Sequence, residues 1–506
     1  MNLKKIGRIC IMLVLFFILT IIIIALHIRE GQLCMGIEIA PENFDIDNLQ
    51  QTDVELNEYL LFNEQKVAIN RGTKTIYIPQ VIEEHTKTSD LQGKLTIALN
   101  EYKLKLLYDR EFDNLYQAVK NGHKFTLLAI KDKEYVKFEL VFTTLPVMRI
   151  NGEYSHMVLE REVLAGDMTL WTPFDESTGR YSTKNSKLNW HIRGNTTYVT
   201  YKKSWKLSLV DSNGEKKNME FLGLGEDDDW ILNSMTYDDV KVKEKLCMDL
   251  WNNHSQKTDY NYPMSTGNYV EVVVNDEYKG LYLLQRRVDK KYLGLSENDI
   301  LIKGANRLTI ENVEEGYRIE YSPFTDEDTY RILEDIFINN NYELIDADNI
   351  ADINLFMEFG CMPDNVNYKN VFYVLENNDD DYTMKFILWD TDMSFGITWM
   401  DGFAHSEEKA LKAHPNRSEM SKGYADINPD IYNLMAEKWQ ILREDVLSAE
   451  NIQNCIDAYY NTLVDSGVYS RNFEAEGVRY GGADTKEAME SYISQKLAIM
   501  DEKYLN

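Results

Sequence analysis

From Ile9 to Leu26 the chain is apolar at every position except Thr20, and the run stops at His27, Arg29 and Glu30. A helix of those eighteen residues, at ~1.5 Å each, approaches the thickness of a bilayer's hydrocarbon core. Lys4, Lys5 and Arg8 precede the run, and no small-x-small cleavage site follows it. The pattern predicts an uncleaved membrane anchor over residues 1–35, with the body on the extracytoplasmic side.

Beyond the anchor the apolar period changes twice. Residues 35–60 are acidic and patternless and read as a tether. Alternating runs then recur at Lys74–Ile78, Lys94–Leu99, Lys124–Ile130 and Tyr135–Phe142, with turn residues between them. Period-2 alternation predicts strands, so residues 36–143 read as a tether and a small β-rich domain. From Leu145 the texture mixes. Strands are expected at Val147–Ile150, Tyr269–Val274 and Gly280–Gln285, and helices at Val240–Trp251 and Thr329–Ile338. After about residue 405 helical spacing dominates, over Ile427–Leu447, Ile452–Val464 and Ala488–Tyr504. The fold class is α+β, with residues 144–506 as a second folded unit.

Composition changes this picture little. A chain of 506 residues with 44% hydrophobic positions can build two or three cores, and only 9 prolines leave no room for a proline-rich linker. Charge excludes more. With 83 acidic against 54 basic residues the formal net charge is −29, which repels nucleic acid. Cys10, Cys34, Cys247, Cys361 and Cys455 are scattered, without a CxxC pair, so neither a zinc site nor a disulfide framework is indicated.

Three constellations can carry chemistry. The first is His191-Ile192-Arg193-Gly194-Asn195-Thr196-Thr197, a donor-rich loop that suits phosphate oxygens. The strand after it alternates, placing Lys203 with Trp205, Leu207 and Leu209, and Lys206 on the opposite face. A lysine among apolar residues needs an anion or a route to a sheet edge. The second is Pro363-Asp364-Asn365-Val366-Asn367-Tyr368-Lys369-Asn370, a polar loop running into the strand Val371–Leu375. Its Asp can orient a hydroxyl and its Asn oxygen can reach a metal, although Asp and Asn in loops more often cap turns. The third is Trp389-Asp390-Thr391-Asp392, where a buried strand ends in two carboxylates of the kind that hold Mg²⁺. The turn Asn377–Asp381 makes the two strands a hairpin, which would bring Asp364 near Asp390. Asp379–Asp381 and Asp227–Asp229 read as solvated turns.

In order and spacing these motifs resemble the CotH kinases. The matches are Arg193–Thr197 with Lys203-Ser204-Trp205, Leu222-Gly223 through Asp229–Leu232, Gly280–Leu283, the Asp364–Asn370 loop, Trp389–Asp392 and the terminal helix, over residues 145–504. The resemblance implies an atypical protein-kinase-like fold that binds ATP with Mg²⁺ or Mn²⁺ and phosphorylates protein Ser/Thr. It implies Asp364 as catalytic aspartate, and Asp390, Asn370 and Asp392 on the metal side. Arg193, Asn195, Lys203 and Lys206 would lie on the nucleotide side. Where the family often has a Glu ending the Gly-x-Tyr strand, this chain has Gln285-Arg286; where it often has Arg-Asn after Trp230, Lys243 and Glu244 stand. Two other readings remain at this point: a kinase-like surface binding protein without catalysis, and a glycosyltransferase using Asp390-Thr391-Asp392 as a DxD motif.

Overall fold

The computed structural model describes residues 33–152, 162–175, 180–194, 200–304, 313–365, 370–378, 381–397, 424–476 and 484–505. The expected anchor lies outside them. No helix among the described residues is long and apolar enough to cross a membrane.

The N-terminal part is two sheets and a short helix around one core. Strands Phe125–Lys131, Glu134–Thr143 and Thr75–Pro79 lie together at the centre of the larger, eight-stranded sheet. A three-stranded sheet built on Leu60–Phe62 contributes Leu60, Phe62 and Leu95 to the same core. The tether expectation needs correcting. Ile37–Ile39 pairs in parallel with Lys103–Leu106, and Gln50–Gln51 pairs in parallel with Glu134–Thr143. Ile37 and Ile39 are buried around an exposed Glu38, but three residues are too few for alternation to register in the sequence.

Seven strands close the next layer into a barrel: Val147–Gly152, Leu164–Asp175, Arg180–Arg193, Ser204–Val210, Asp229–Asn233, Glu277–Arg286 and Gly267–Val274. Parallel pairing of the first with the last completes the ring. Period-2 patterning fills it. Met148, Ile150, Trp190, Trp205, Leu207, Trp230 and Leu232 belong to a single buried cluster. Asp227–Asp229, expected as a solvated turn, is buried instead. Arg286 pairs with Asp227 at 2.7 Å, Lys291 with Asp228 at 2.5 Å and Lys206 with Asp229 at 3.0 Å. Opposite charges supplied from two strands and a short helix elsewhere in the chain offset the cost of burying three carboxylates.

Helix Lys243–Ser255 leaves the barrel and packs into a core shared with a four-stranded antiparallel sheet. That sheet runs Tyr317–Tyr321, Ile300–Gly304, Val371–Asn377, Tyr382–Leu388. The hairpin expectation holds: Val371 lies opposite Leu388 and Asn377 opposite Tyr382. Helices Ala347–Gly360, Ile431–Glu444, Ala449–Asp465 and Lys486–Tyr504 cover this core, so the C-terminal part is helical.

Contacts between the layers include two that are central to the packing. Tyr77 of the N-terminal sheet stacks on Tyr278 of the barrel at 4.3 Å. Helix Val468–Glu476 docks on the barrel at Gly280, whose φ of +88° admits no side chain there without strain. An added Cβ would lie 2.5 Å from Asn472 Oδ1, which accepts from the Leu281 N–H and the Lys202 amine. Close by, Arg471 forks onto the fully buried Glu271 at 2.7 and 3.1 Å. Replacing Arg471 by Ala strands that carboxylate, and the expected loss is about 3–5 kcal/mol. Urea unfolding reads it directly, and an unchanged midpoint would show that this pair does not hold the helix.

Candidate active site

A cavity of about 630 Å³ is lined by both the barrel and the four-stranded sheet. Its walls carry opposite charge. One is cationic, with Arg193 at the end of its strand, Lys206 in mid-strand, Arg287, Lys303 and Arg318. The other carries Asp364, Asn370, Asp390 and Asp392.

Local structure explains the cationic wall. In Ser204–Val210 the buried Trp205, Leu207 and Leu209 fill the barrel, so Lys206 points out with its register partner His191, and both line the cavity. Asp229 accepts from Lys206 at 3.0 Å and Arg287 at 3.1 Å. Arg287 also reaches Glu320 at 2.7 Å, and Glu320 holds Arg318. This chain of alternating charges fixes three cations from two sheets. Lys303 and Arg193 are held differently. Both approach the Trp389 ring, whose centroid is 5.0 Å from the Lys303 amine and 5.3 Å from the Arg193 guanidinium. Burial pushes the Lys303 amine down to about 7, with Arg193 adding to the push and Asp390 opposing it. Burial also lowers Arg193, against the pull of Asp390 and Glu244.

The acidic wall is built from two adjoining loops. Asp364 follows helix Ala347–Gly360, and Asp390 follows strand Tyr382–Leu388. The Asn370 amide donates to Asp364 Oδ2 at 2.7 Å. Asn365 donates to the carbonyls of Asn370 (3.0 Å) and Trp389 (2.7 Å), and so clamps one loop to the other. Asn370 and Asp390 both take left-handed backbone, at φ +56° and +59°. Such strain at non-glycine residues persists only where surrounding contacts enforce it. Behind Asp390, the buried Glu244 accepts from both the N–H and the hydroxyl of Thr391. Burial, then Asp390, pushes Glu244 up to about 7. Burial likewise lifts Asp392 well above the carboxylate range, with Asp390, Glu244, Asp238 and Asp364 adding repulsion.

Crowded oxygen donors of this kind suit a hard divalent cation. Among the described residues no three His, Cys, Asp or Glu side chains form a group able to hold a metal ion. The donors line one wall without converging.

A family model described as CotH kinase protein matches residues 190–500. The chain belongs to the CotH kinase family. No curated protein matches it. The matched span takes in both walls of the cavity.

In this CotH family chain the cavity brings together six of the residues singled out in the sequence: Arg193, Lys206, Asp364, Asn370, Asp390 and Asp392. Asn195 lies outside the described residues. Lys203 does not line the cavity; it precedes the strand, and its amine donates to the Thr200 carbonyl at 2.6 Å. The barrel interior is packed with Trp and Leu, so Lys206 lies on the outer face, where it lines the cavity. Lys303, Arg287, Arg318, Asn365 and Glu244 were not identified. Lys303 had a signal, because it follows Ile300-Leu301-Ile302 and precedes a glycine, much as Arg193 does.

Lys303 yields a pH prediction. Burial depresses its pKa, and an anionic phosphate would favour its charged form, so phosphate binding would take up a proton above neutrality. Affinity for a triphosphate nucleotide should fall between about pH 7.5 and about pH 9, by up to about tenfold per unit. Lys303→Met should bind more weakly at pH 7 and lose that slope. A slope unchanged in the variant would remove Lys303 from the phosphate side.

Proposed function

We propose that this chain is an ATP- and divalent-metal-dependent phosphotransferase of protein-kinase-like fold, acting on Ser or Thr of protein substrates. The observation that carries the reading is the two-signed cavity. A polyanion suits the wall of Arg193, Lys206, Arg287, Lys303 and Arg318, and a cation suits the wall of Asp364, Asn370, Asp390 and Asp392. A nucleoside triphosphate with Mg²⁺ or Mn²⁺ satisfies both walls at once. Family membership supports the same reading.

Asp390, Asp392 and the Asn370 oxygen would hold the metal, which would neutralise charge developing on the transferring phosphoryl group. Arg193, Lys206 and Lys303 orient the phosphate oxygens, as a preorganised electrostatic clamp requires. Asp364, fixed by the Asn370 amide, accepts the proton of the attacking hydroxyl. The acceptor oxygen then bonds to the γ-phosphorus as the bond to the β–γ bridging oxygen breaks, and ADP leaves. The apolar Ile9–Leu26 run would tether this activity to a membrane, and its basic flank would place the body outside the cytoplasm. The sugar-nucleotide reading loses support, because Asp390-Thr391-Asp392 follows a strand of an antiparallel sheet rather than a parallel nucleotide-binding one.

The test is label transfer from γ-labelled ATP by the full chain, with Mg²⁺ or Mn²⁺ and casein-like acceptors. Asp390→Ala should abolish metal-dependent nucleotide binding. Asp364→Ala should bind as wild type but transfer about 10²–10⁴-fold more slowly. Equal loss of binding in both would give Asp364 a structural role, and no transfer by wild type would leave a binding protein.

A further inference from the structure

Glu244 is a carboxylate buried at the start of a helix, beside a site that already crowds three others. The chain keeps it there although Asp390 and Asp392 repel it. We infer that Glu244 is a positioning residue for the Asp390–Asp392 segment, holding its backbone in the shape that presents both carboxylates to a divalent cation. The inference rests on the phosphotransfer reading and assigns a role within the same site.

Three observations carry it. First, Thr391 is fully buried, and both of its donors end on one oxygen of Glu244: the N–H at 2.6 Å and the hydroxyl at 2.9 Å. Second, the residue before Thr391 is Asp390 at φ +59°, so the chain reverses just where this anchor holds it. Left-handed backbone at a non-glycine residue relaxes unless fixed on both sides. Asn365 and Asn370 fix the Trp389 side, through the Trp389 carbonyl (2.7 Å) and N–H (3.0 Å). Glu244 fixes the Thr391 side. Third, Glu244 is itself held. It lies in the first turn of Lys243–Ser255, where the helix dipole favours negative charge, and Gln285 reaches its other oxygen at 3.4 Å. Next to it Lys243, fully buried, pairs with Asp238 and Asp484, which ties this helix start to the C-terminal helices.

The carboxylate therefore acts on the cation through Thr391 and does not need to touch it. An amide oxygen at the same place could accept the same hydrogen bonds, whereas a methyl group could not.

The experiment measures Mn²⁺ affinity by electron paramagnetic resonance on the full chain with a non-hydrolysable ATP analogue. It compares wild type, Glu244→Ala, Glu244→Gln and Thr391→Val, and records amide hydrogen exchange over 386–396. Glu244→Ala should weaken Mn²⁺ at least tenfold and speed exchange of the Thr391 amide, with nucleotide affinity in EDTA unchanged. Glu244→Gln should recover affinity to within about threefold. If the alanine variant does not fold, Thr391→Val decides, with an expected three- to tenfold loss. Wild-type Mn²⁺ affinity in Glu244→Ala, or in Thr391→Val where that variant decides, overturns the positioning role alone. Equal weakening in the glutamine and alanine variants overturns it too. A wild-type chain that binds no Mn²⁺ overturns the phosphotransfer reading and this inference with it.

Discussion

Like charge crowded at one wall of the cavity is the constraint on which the centre of this protein depends. Asp390 and Asp392 follow a strand, Asp364 follows a helix and Glu244 begins another, and burial together with the neighbouring carboxylates raises the cost of ionising Asp392 and Glu244. Two unit charges ~4 Å apart interact by about 1 kcal/mol in water but by about 4 kcal/mol at an effective dielectric of ~20. Protonation of Glu244 and Asp392, or a bound cation, relieves such crowding. Across the cavity Arg193 and Lys303 share one indole ring, and Asp229 and Glu320 hold Lys206, Arg287 and Arg318.

The rest of the fold serves to keep these walls apart and in place. The barrel supplies rigidity because Trp190, Trp205 and Trp230 fill its interior, which leaves its outer face free for Lys206 and His191. The four-stranded sheet presents Lys303 and ends in Asp390. Asn365 joins its two loops, and Glu244 braces them from the helix that links barrel and sheet. The N-terminal sheets and the C-terminal helices contact the barrel at Tyr77–Tyr278 and Arg471–Glu271, residues that do not line the cavity. Loops carry the chemistry and packed elements carry the loops.

Much of this was legible in the sequence, for local reasons. The hairpin carrying Asp390 joins two largely apolar runs by an acidic turn, and the helices from residue 431 onward keep clear spacing. Features made by distant partners were hidden. Asp227–Asp229 reads as a surface turn until Lys206, Arg286, Arg287 and Lys291 arrive from elsewhere in the chain. Lys203 and Lys206 could be assigned to opposite faces by alternation, but not to inside and outside, because nothing local says on which side of a barrel strand the cavity lies. Glu244 showed only as a departure from the family pattern; its meaning needed Thr391, 147 positions along the chain.

If the two walls await one ligand of both signs, metal and nucleotide must bind cooperatively. Isothermal titration of ATP into the full chain, with EDTA and then with saturating Mg²⁺, measures that coupling. Tightening by about 100-fold or more, some 3 kcal/mol of coupling, is the expected result. Equal affinity in the two conditions, or no binding in either, would contradict it.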